Sequence, residues 1–205
     1  ELFSDYLTVA EKMGDYPVLL YDIPSATGNP LGATLLARLR ERAPNVVGAK
    51  VSRSDWAAWE EYLTLASEVT LLIGKDEMAF PLLIMGGQGL VCSGANVFPE
   101  LYVVLYRVAM CRNVGEGLRL QGLISQLCRV CRQGTPLAFI KEAVTLMGYE
   151  VGPPLAPLRR LSAEERVELE TGLAALKAAV SRLVCSKGGD DRGETLVSVR
   201  CETGM

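Results

Sequence analysis

An amine and a phenol close two neighbouring apolar runs of this chain. Lys50 ends the run Val46-Val47-Gly48-Ala49-Lys50, and Tyr21 ends the run Pro17-Val18-Leu19-Leu20-Tyr21, 29 residues earlier. If both runs are buried strands of one sheet, the two side chains stand at its carboxyl edge. A lysine there can attack a ketone to form a Schiff base, and a tyrosine there can move protons. The plainer alternative is that each strand ends in a polar residue at the surface. Histidine is absent, which excludes His-based triads, His metal ligands and His acid–base catalysis.

The elements that would hold these groups follow a regular alternation. Leu2, Phe3, Tyr6, Leu7, Ala10 and Met13 share one helical face, and Gly14 ends that helix. The strand 17–21 is followed by turn residues Pro24 to Pro30 and a helix near 32–43. The strand 46–50 precedes a helix near 54–67, with Trp56, Trp59 and Leu63 expected inward. The strand 69–73 precedes a helix near 76–86, and the strand 89–93 precedes one near 99–112. Short apolar runs without polar alternation predict strands buried on both faces, as in a parallel sheet. Such βα repeats predict either a doubly wound sheet or a (β/α)8 barrel. Four units make half a barrel, since a complete one takes about 250 residues. Either the sheet is open or an upstream half belongs with it.

Beyond residue 115 the pattern becomes helical, with segments near 115–132 and 136–148 and a break at Gly152-Pro153-Pro154. Ser162-Ala163-Glu164-Glu165 is a capping box, in which Glu165 bonds back to the Ser162 amide. Leu169, Leu173, Leu176, Val180 and Leu183 then form one helical stripe. From Ser186 the chain is Gly-rich and charged, as a flexible tail would be. The expected divisions are a half-barrel over 1–114, a helical region over 115–184 and a tail over 185–205.

The 205 residues are 49% hydrophobic, ample for a packed core, and carry a net charge of −3. That balance argues against nucleic-acid and anionic-membrane partners, which need clustered Lys and Arg. No apolar run approaches the roughly 18 residues of a membrane span. The start lacks both signal-peptide character and an initiator Met, which leaves room for sequence upstream. Of Cys92, Cys111, Cys128, Cys131, Cys185 and Cys201, four sit in strongly apolar segments. Free cysteine behaves there as a small hydrophobe, so a reduced, cytoplasmic chain is expected. Cys128-Arg129-Val130-Cys131 lacks a second pair to complete a zinc site and reads as core packing. Gly86, Gly87 and Gly89 precede a strand instead of opening a helix, so they read as a tight turn, not a phosphate loop.

Polar side chains end all four strands: Tyr21; Lys50 and Ser52; Lys75, Asp76 and Glu77; and Ser93. In parallel α/β folds that edge is the active face. Here the motifs carry a resemblance. Tyr21-Asp22-Ile23-Pro24-Ser25-Ala26-Thr27-Gly28 and Gly48-Ala49-Lys50-Val51-Ser52 resemble the tyrosine and Schiff-base lysine motifs of the dihydrodipicolinate synthase/N-acetylneuraminate lyase family of class I aldolases. Gly74-Lys75-Asp76-Glu77, Gly86-Gly87-Gln88-Gly89, Ser93-Gly94-Ala95-Asn96, Gly148-Tyr149 and Gly152-Pro153-Pro154-Leu155-Ala156-Pro157-Leu158 follow in that family's order.

The resemblance covers roughly residues 1–184. It implies the second half of a (β/α)8 barrel plus C-terminal helices, in a homo-oligomer, usually a tetramer. It also implies that Lys50 forms an imine with pyruvate or another small 2-keto acid, that Tyr21 relays protons, and that no metal or organic cofactor is needed. The amine must be neutral to attack, and its reference pKa is about 10.4, so burial is expected to lower it. The resemblance places Ser52, Gly74, Asp76, Glu77, Val91 and Ser93 on the substrate side. Ala26 stands where the synthase branch has an arginine for its acidic substrate. The adjacent carboxylates of Asp76 and Glu77 resemble the lyase branch and suit the several O–H donors of a polyol. The alternative for that pair is an acidic first helical turn, with Asp76 as N-cap. The expected reaction is reversible cleavage of a 2-keto-3-deoxy sugar acid to pyruvate and an aldehyde. The alternatives are 4-hydroxy-tetrahydrodipicolinate synthase, 4-hydroxy-2-oxoglutarate aldolase or a truncated, non-catalytic fragment, since the family's carboxylate-binding loop belongs to the upstream half.

Overall fold

The computed structural model describes residues 1–131 and 136–185. They fall into two compact units, Glu1–Val91 and the residues from Cys92 onward. The first unit begins with helix α1 (Leu2–Lys12) and continues through β1 (Val18–Asp22), a short helix α2 (Pro24–Thr27), α3 (Ala33–Arg42), β2 (Val46–Val51), α4 (Trp56–Leu63) and β3 (Thr70–Ile73). A 3-10 turn (Asp76–Met78), α5 (Ala79–Ile84) and β4 (Gly89–Leu90) complete it.

The four strands pair in the order β1-β2-β3-β4, all parallel. A doubly wound sheet reverses its strand order at a switch point, whereas a barrel adds strands consecutively. The order found here is therefore that of a partial (β/α)8 barrel. The register between β1 and β2 slips by one residue near its start: Val18 pairs with Val46, but Leu19 pairs with Gly48. Beyond the slip Tyr21 pairs with Lys50, and in the next ladder Lys50 pairs with Leu72. Gly48 permits this: a Cβ there would collide with the Thr70 carbonyl oxygen and lie 2.7 Å from its carbon.

The expectation of burial on both faces is corrected. Leu20, Asp22, Ala49, Val51, Leu71 and Ile73 alternate onto one face and are buried. Leu19 and Tyr21, on the opposite face, are each 43% exposed. A barrel interior is filled by layers from all eight strands, and four strands supply half of each. Trp56 is also corrected: it is exposed, while Ala58, Trp59 and Tyr62 face inward. The helix begins at Trp56, and Trp59 Nε1 donates to the Arg53 carbonyl at 3.0 Å, which holds Trp59 inward as expected and leaves the first residue of the helix outside the buried face. The predicted strand 89–93 shortens to two residues. Val97 and Phe98 N–H both donate to the Gly94 carbonyl, at 3.0 and 3.1 Å, in a 3-10 turn (Ser93–Asn96) that takes the chain out of the ladder.

The second unit contains that turn, α6 (Pro99–Met110), α7 (Val114–Cys131), α8 (Pro136–Leu146) and α9 (Ala163–Cys185). Leu169, Leu173, Leu176 and Val180 are buried, as their spacing predicts. The capping box forms: Ser162 N–H donates to Glu165 Oε2 at 2.7 Å, and Glu165 N–H donates to Ser162 Oγ at 3.2 Å. Cys92, Cys128 and Cys131 carry reduced thiols. Cys111 is disulfide-bonded, against the expectation of a reduced set. It caps the end of α6 half-buried, where a thiol is more accessible than in the core. The expected tail lies outside the described residues, apart from Cys185 at the end of α9. Among the described residues no helix is long and apolar enough to cross a membrane.

Ser162→Ala should cost about 1 kcal/mol, the usual worth of an N-cap, read as a lowered urea midpoint. The Arg159 guanidinium, then the Ser162 amide, hold the Glu165 carboxyl down to about 2. An ordinary glutamate titrates near 4.3, so this contribution to stability is present above that pH and is lost as pH falls toward 2. The difference between the wild type and Glu165→Gln should shrink over that window.

Candidate active site

The site is built on the open face of the sheet, at the carboxyl ends of β1, β2 and β3. The parallel register sets Tyr21 beside Lys50 on adjacent strands, and alternation turns both to one side. The Lys50 Nζ stands over the Tyr21 ring, 4.1 Å from its centroid, in a cation–π contact. Ser52 follows on the same face. Its hydroxyl lies 3.4 Å from Tyr21 Oη and 3.5 Å from the Gly74 carbonyl, and it can donate to either. The backbone fixes that hydroxyl, because Ser52 N–H donates to the Asp22 carbonyl at 2.9 Å.

Gly74 has a steric reason to be glycine. A Cβ there would overlap Ser52 Oγ and lie 3.1 Å from Lys50 Cε. The missing side chain is the room in which the lysine and serine meet. Its N–H donates to the Val51 carbonyl at 2.9 Å and so extends the ladder past the strand end.

Partial burial alone would raise the Tyr21 phenol. The Ser52 and Lys50 hydrogen bonds and the Lys50 charge together outweigh it, and the pKa falls below the ordinary value. A phenol so placed gives up its proton more readily than a free tyrosine, as a proton relay requires.

Asp76 and Glu77 open the 3-10 turn after β3, both half-buried. Lys75, not Asp76, takes the N-cap position, so the N-cap reading of Asp76 does not hold. Val91 is exposed, and its N–H donates to the Ile73 carbonyl at 2.9 Å, beyond the end of β4. Ser93 belongs to the second unit, where it opens the Ser93–Asn96 turn and is exposed. The structure therefore groups Tyr21, Lys50, Ser52 and Gly74 by direct approach.

Three residues beside this group were not singled out from the sequence. Asp22 is fully buried behind Tyr21, Tyr62 Oη donates to it at 2.9 Å, and Arg53 lies 3.8 Å away. The available signal was a carboxylate in phase with Leu20, on the core side of an apolar strand.

The family model described as the dihydrodipicolinate synthetase family matches residues 1–176. The chain is 36% identical over 162 residues to an uncharacterized DapA-like lyase of Halobacterium salinarum, covering 79% of this chain and 53% of that protein. It is 31% identical over 176 residues to the 4-hydroxy-tetrahydrodipicolinate synthase of Methanopyrus kandleri, covering 85% of this chain and 58% of the synthase. Among solved structures, a variant of the Sulfolobus solfataricus 2-keto-3-deoxygluconate aldolase superposes with a TM-score of 0.79 at 26% identity. That match covers 89% of this chain and 61% of the aldolase. The chain thus spans a little over half the length of the relatives it matches.

Lys50→Met removes two of the influences that lower the Tyr21 phenol. The phenolate absorbance should then appear at higher pH than in the wild type. An unchanged titration would show that Lys50 does not act on Tyr21.

Proposed function

The chain belongs to the dihydrodipicolinate synthetase family, and on that premise we propose that it carries the catalytic half of a Schiff-base-forming aldolase. The active form in this reading is the complete barrel. Its reaction is reversible cleavage of a 2-keto-3-deoxy sugar acid to pyruvate and an aldehyde. The observation that carries the proposal is the pairing of Lys50 with Tyr21 on one face, 4.1 Å from amine to ring centroid.

In this mechanism the neutral Lys50 amine adds to the C2 carbonyl of the substrate, and the Tyr21 phenol supplies the proton with which water leaves, giving an iminium and a phenolate. The Tyr21 phenolate takes the proton of the C4 hydroxyl. The C3–C4 bond breaks, its electrons pass into the iminium to form an enamine, and the aldehyde departs. Protonation at C3 and hydrolysis then return pyruvate and the free lysine. With pyruvate alone, the same tyrosine moves the C3 proton between imine and enamine. Ser52 holds the phenol through its hydroxyl, and the room left by Gly74 keeps the amine and serine side by side. All steps are acid–base and covalent chemistry of side chains. In this reading Asp76 and Glu77 serve the hydroxyls of the aldehyde portion, and Val91 and Ser93 are further residues of the substrate side. The substrate is a small 2-keto acid, and the protein works as a cytoplasmic homo-oligomer.

The sugar-acid reading draws support from the likeness to the Sulfolobus aldolase and from Ala26, where the synthase branch has its arginine. A second reading, condensation of pyruvate with aspartate semialdehyde, has support from the Methanopyrus synthase among the relatives. A substrate screen on the complete protein, detecting released or consumed pyruvate, separates the two.

Incubation of the complete barrel protein with pyruvate and borohydride should modify Lys50, located by mass spectrometry. Modification of Lys75 instead would overturn the assignment. Tyr21→Phe should still form the adduct, with turnover and pyruvate C3 exchange slowed about 10²–10⁴-fold, the worth of a placed acid–base group. Glu77→Gln should raise KM for a polyhydroxylated substrate and leave the pyruvate adduct intact; collapse of both would make the pair structural. Residues 1–205 expressed alone should be silent and prone to associate, because half of each interior layer is absent. A monomer with clear aldolase turnover would overturn the need for an upstream half.

A further inference from the structure

We propose that Asp22 is a positioning residue, whose buried carboxylate locks the loop after Tyr21 and the turn carrying Ser52 onto the strand that presents the phenol. The proposal rests on the catalytic reading of Lys50 and Tyr21 given above.

Asp22 is the neighbour of Tyr21 on β1, so alternation sends its side chain to the opposite, helix-covered face. It is fully buried, the one buried charged residue among the described residues. A carboxylate there carries a large desolvation cost unless its oxygens are satisfied. They are. Oδ2 accepts from the Tyr62 hydroxyl on α4 at 2.9 Å, and Oδ1 accepts from the Leu31 N–H ahead of α3 at 3.2 Å. Arg53 Nη1 lies 3.8 Å from Oδ2 as the counter-charge.

Each partner belongs to a different segment. The Leu31 bond closes residues 23–30 into a loop whose two ends meet at one residue. The outer part of that loop, Ser25 to Pro30, is exposed beside the strand end that carries Tyr21. Arg53 directly follows Ser52, and its position is over-determined. Its guanidinium reaches Asp55 through Nε at 3.0 Å and Nη2 at 2.8 Å, and its carbonyl accepts from Trp59 Nε1 at 3.0 Å. The Asp22 backbone adds the last tie, accepting from Ser52 N–H at 2.9 Å. One residue thus clamps β1 to the turn after β2 through both main chain and side chain. That turn holds the hydroxyl 3.4 Å from Tyr21 Oη.

Stability alone does not explain a charge at this position. Replacing a buried ion pair with apolar groups of similar volume is often neutral or stabilising. What the carboxylate supplies is direction: two hydrogen-bond donors and a counter-charge converge on it from different segments, where a leucine would accept any of several packings. Burial, then the Asp22 charge and hydrogen bond, push the Tyr62 phenol far above its ordinary value. Tyr62 therefore remains a donor across the working pH range, and the clamp does not open by titration of that phenol.

The test uses the complete barrel protein with pyruvate as the probe. Borohydride trapping reports the imine, and loss of the pyruvate C3 proton signal in deuterium oxide reports proton relay. Asp22→Asn keeps the shape and the acceptor for Leu31 but removes the charge and the acceptor for Tyr62. It should leave trapping within about threefold of wild type and slow C3 exchange about 10–100-fold, the scale of a small misplacement of a reacting group. In a Tyr21→Phe background the same change should cost less than about threefold, because Asp22 acts through the phenol. Tyr62→Phe should show the same split to a smaller degree, and it carries the test if Asp22→Asn does not fold. Equal losses in the wild-type and Tyr21→Phe backgrounds, or unchanged exchange with a normal adduct, would overturn this proposal alone. Absence of any Lys50 adduct in the wild type would overturn the catalytic reading, and this proposal with it.

Discussion

The register of two parallel strands decides whether this chain has a site at all. Side chains alternate along a strand, so a slip of one residue would send Lys50 to the face opposite Tyr21. The slip between Val18 and Leu19 provides the register in which phenol and amine share a face. Gly48 lets the third strand close on the same stretch without a Cβ against the Thr70 carbonyl. A glycine with no chemistry of its own thus stands behind the distance between the two reactive groups.

The two faces of the sheet do different work. The helix-covered face buries Leu20, Ala49, Val51, Leu71 and Ile73 with Asp22 among them, and it supplies the rigidity. The other face carries Tyr21, Lys50 and Ser52, and Leu19 and Tyr21 on it are exposed. Precision on one side is borrowed from packing on the other. A side chain on β1 cannot drift while its neighbour is held by donors from α4 and the segment before α3 and by the Arg53 charge on the turn after β2. This is how a phenol on a partly open surface can have a defined partner and a lowered pKa.

The relatives are longer than this chain. Their matched portions leave a little under half of their own length outside this chain. The open sheet face is the physical counterpart of that arithmetic, since a barrel interior needs layers from all of its strands.

Much of this was legible in the sequence. Apolar runs closed by Tyr21 and Lys50 marked two strands and the edge where chemistry sits. The Ser162–Glu165 spacing marked a capping box, and the stripe from Leu169 to Val180 marked the buried face of the last helix; all depend on spacing within a few residues, which local periodicity encodes. Tertiary structure decided the rest. Sequential strand order chose a partial barrel over a doubly wound sheet, because order is a relation between distant segments. The start of α4 turned Trp56 outward, because a helix's phase follows its first residue and the bond from Trp59 to Arg53. The role of Asp22 was invisible because its partners lie 9, 31 and 40 residues away at Leu31, Arg53 and Tyr62. The phase with Leu20 marks the core side of the strand, but only folding brings two donors and a counter-charge to the carboxylate there.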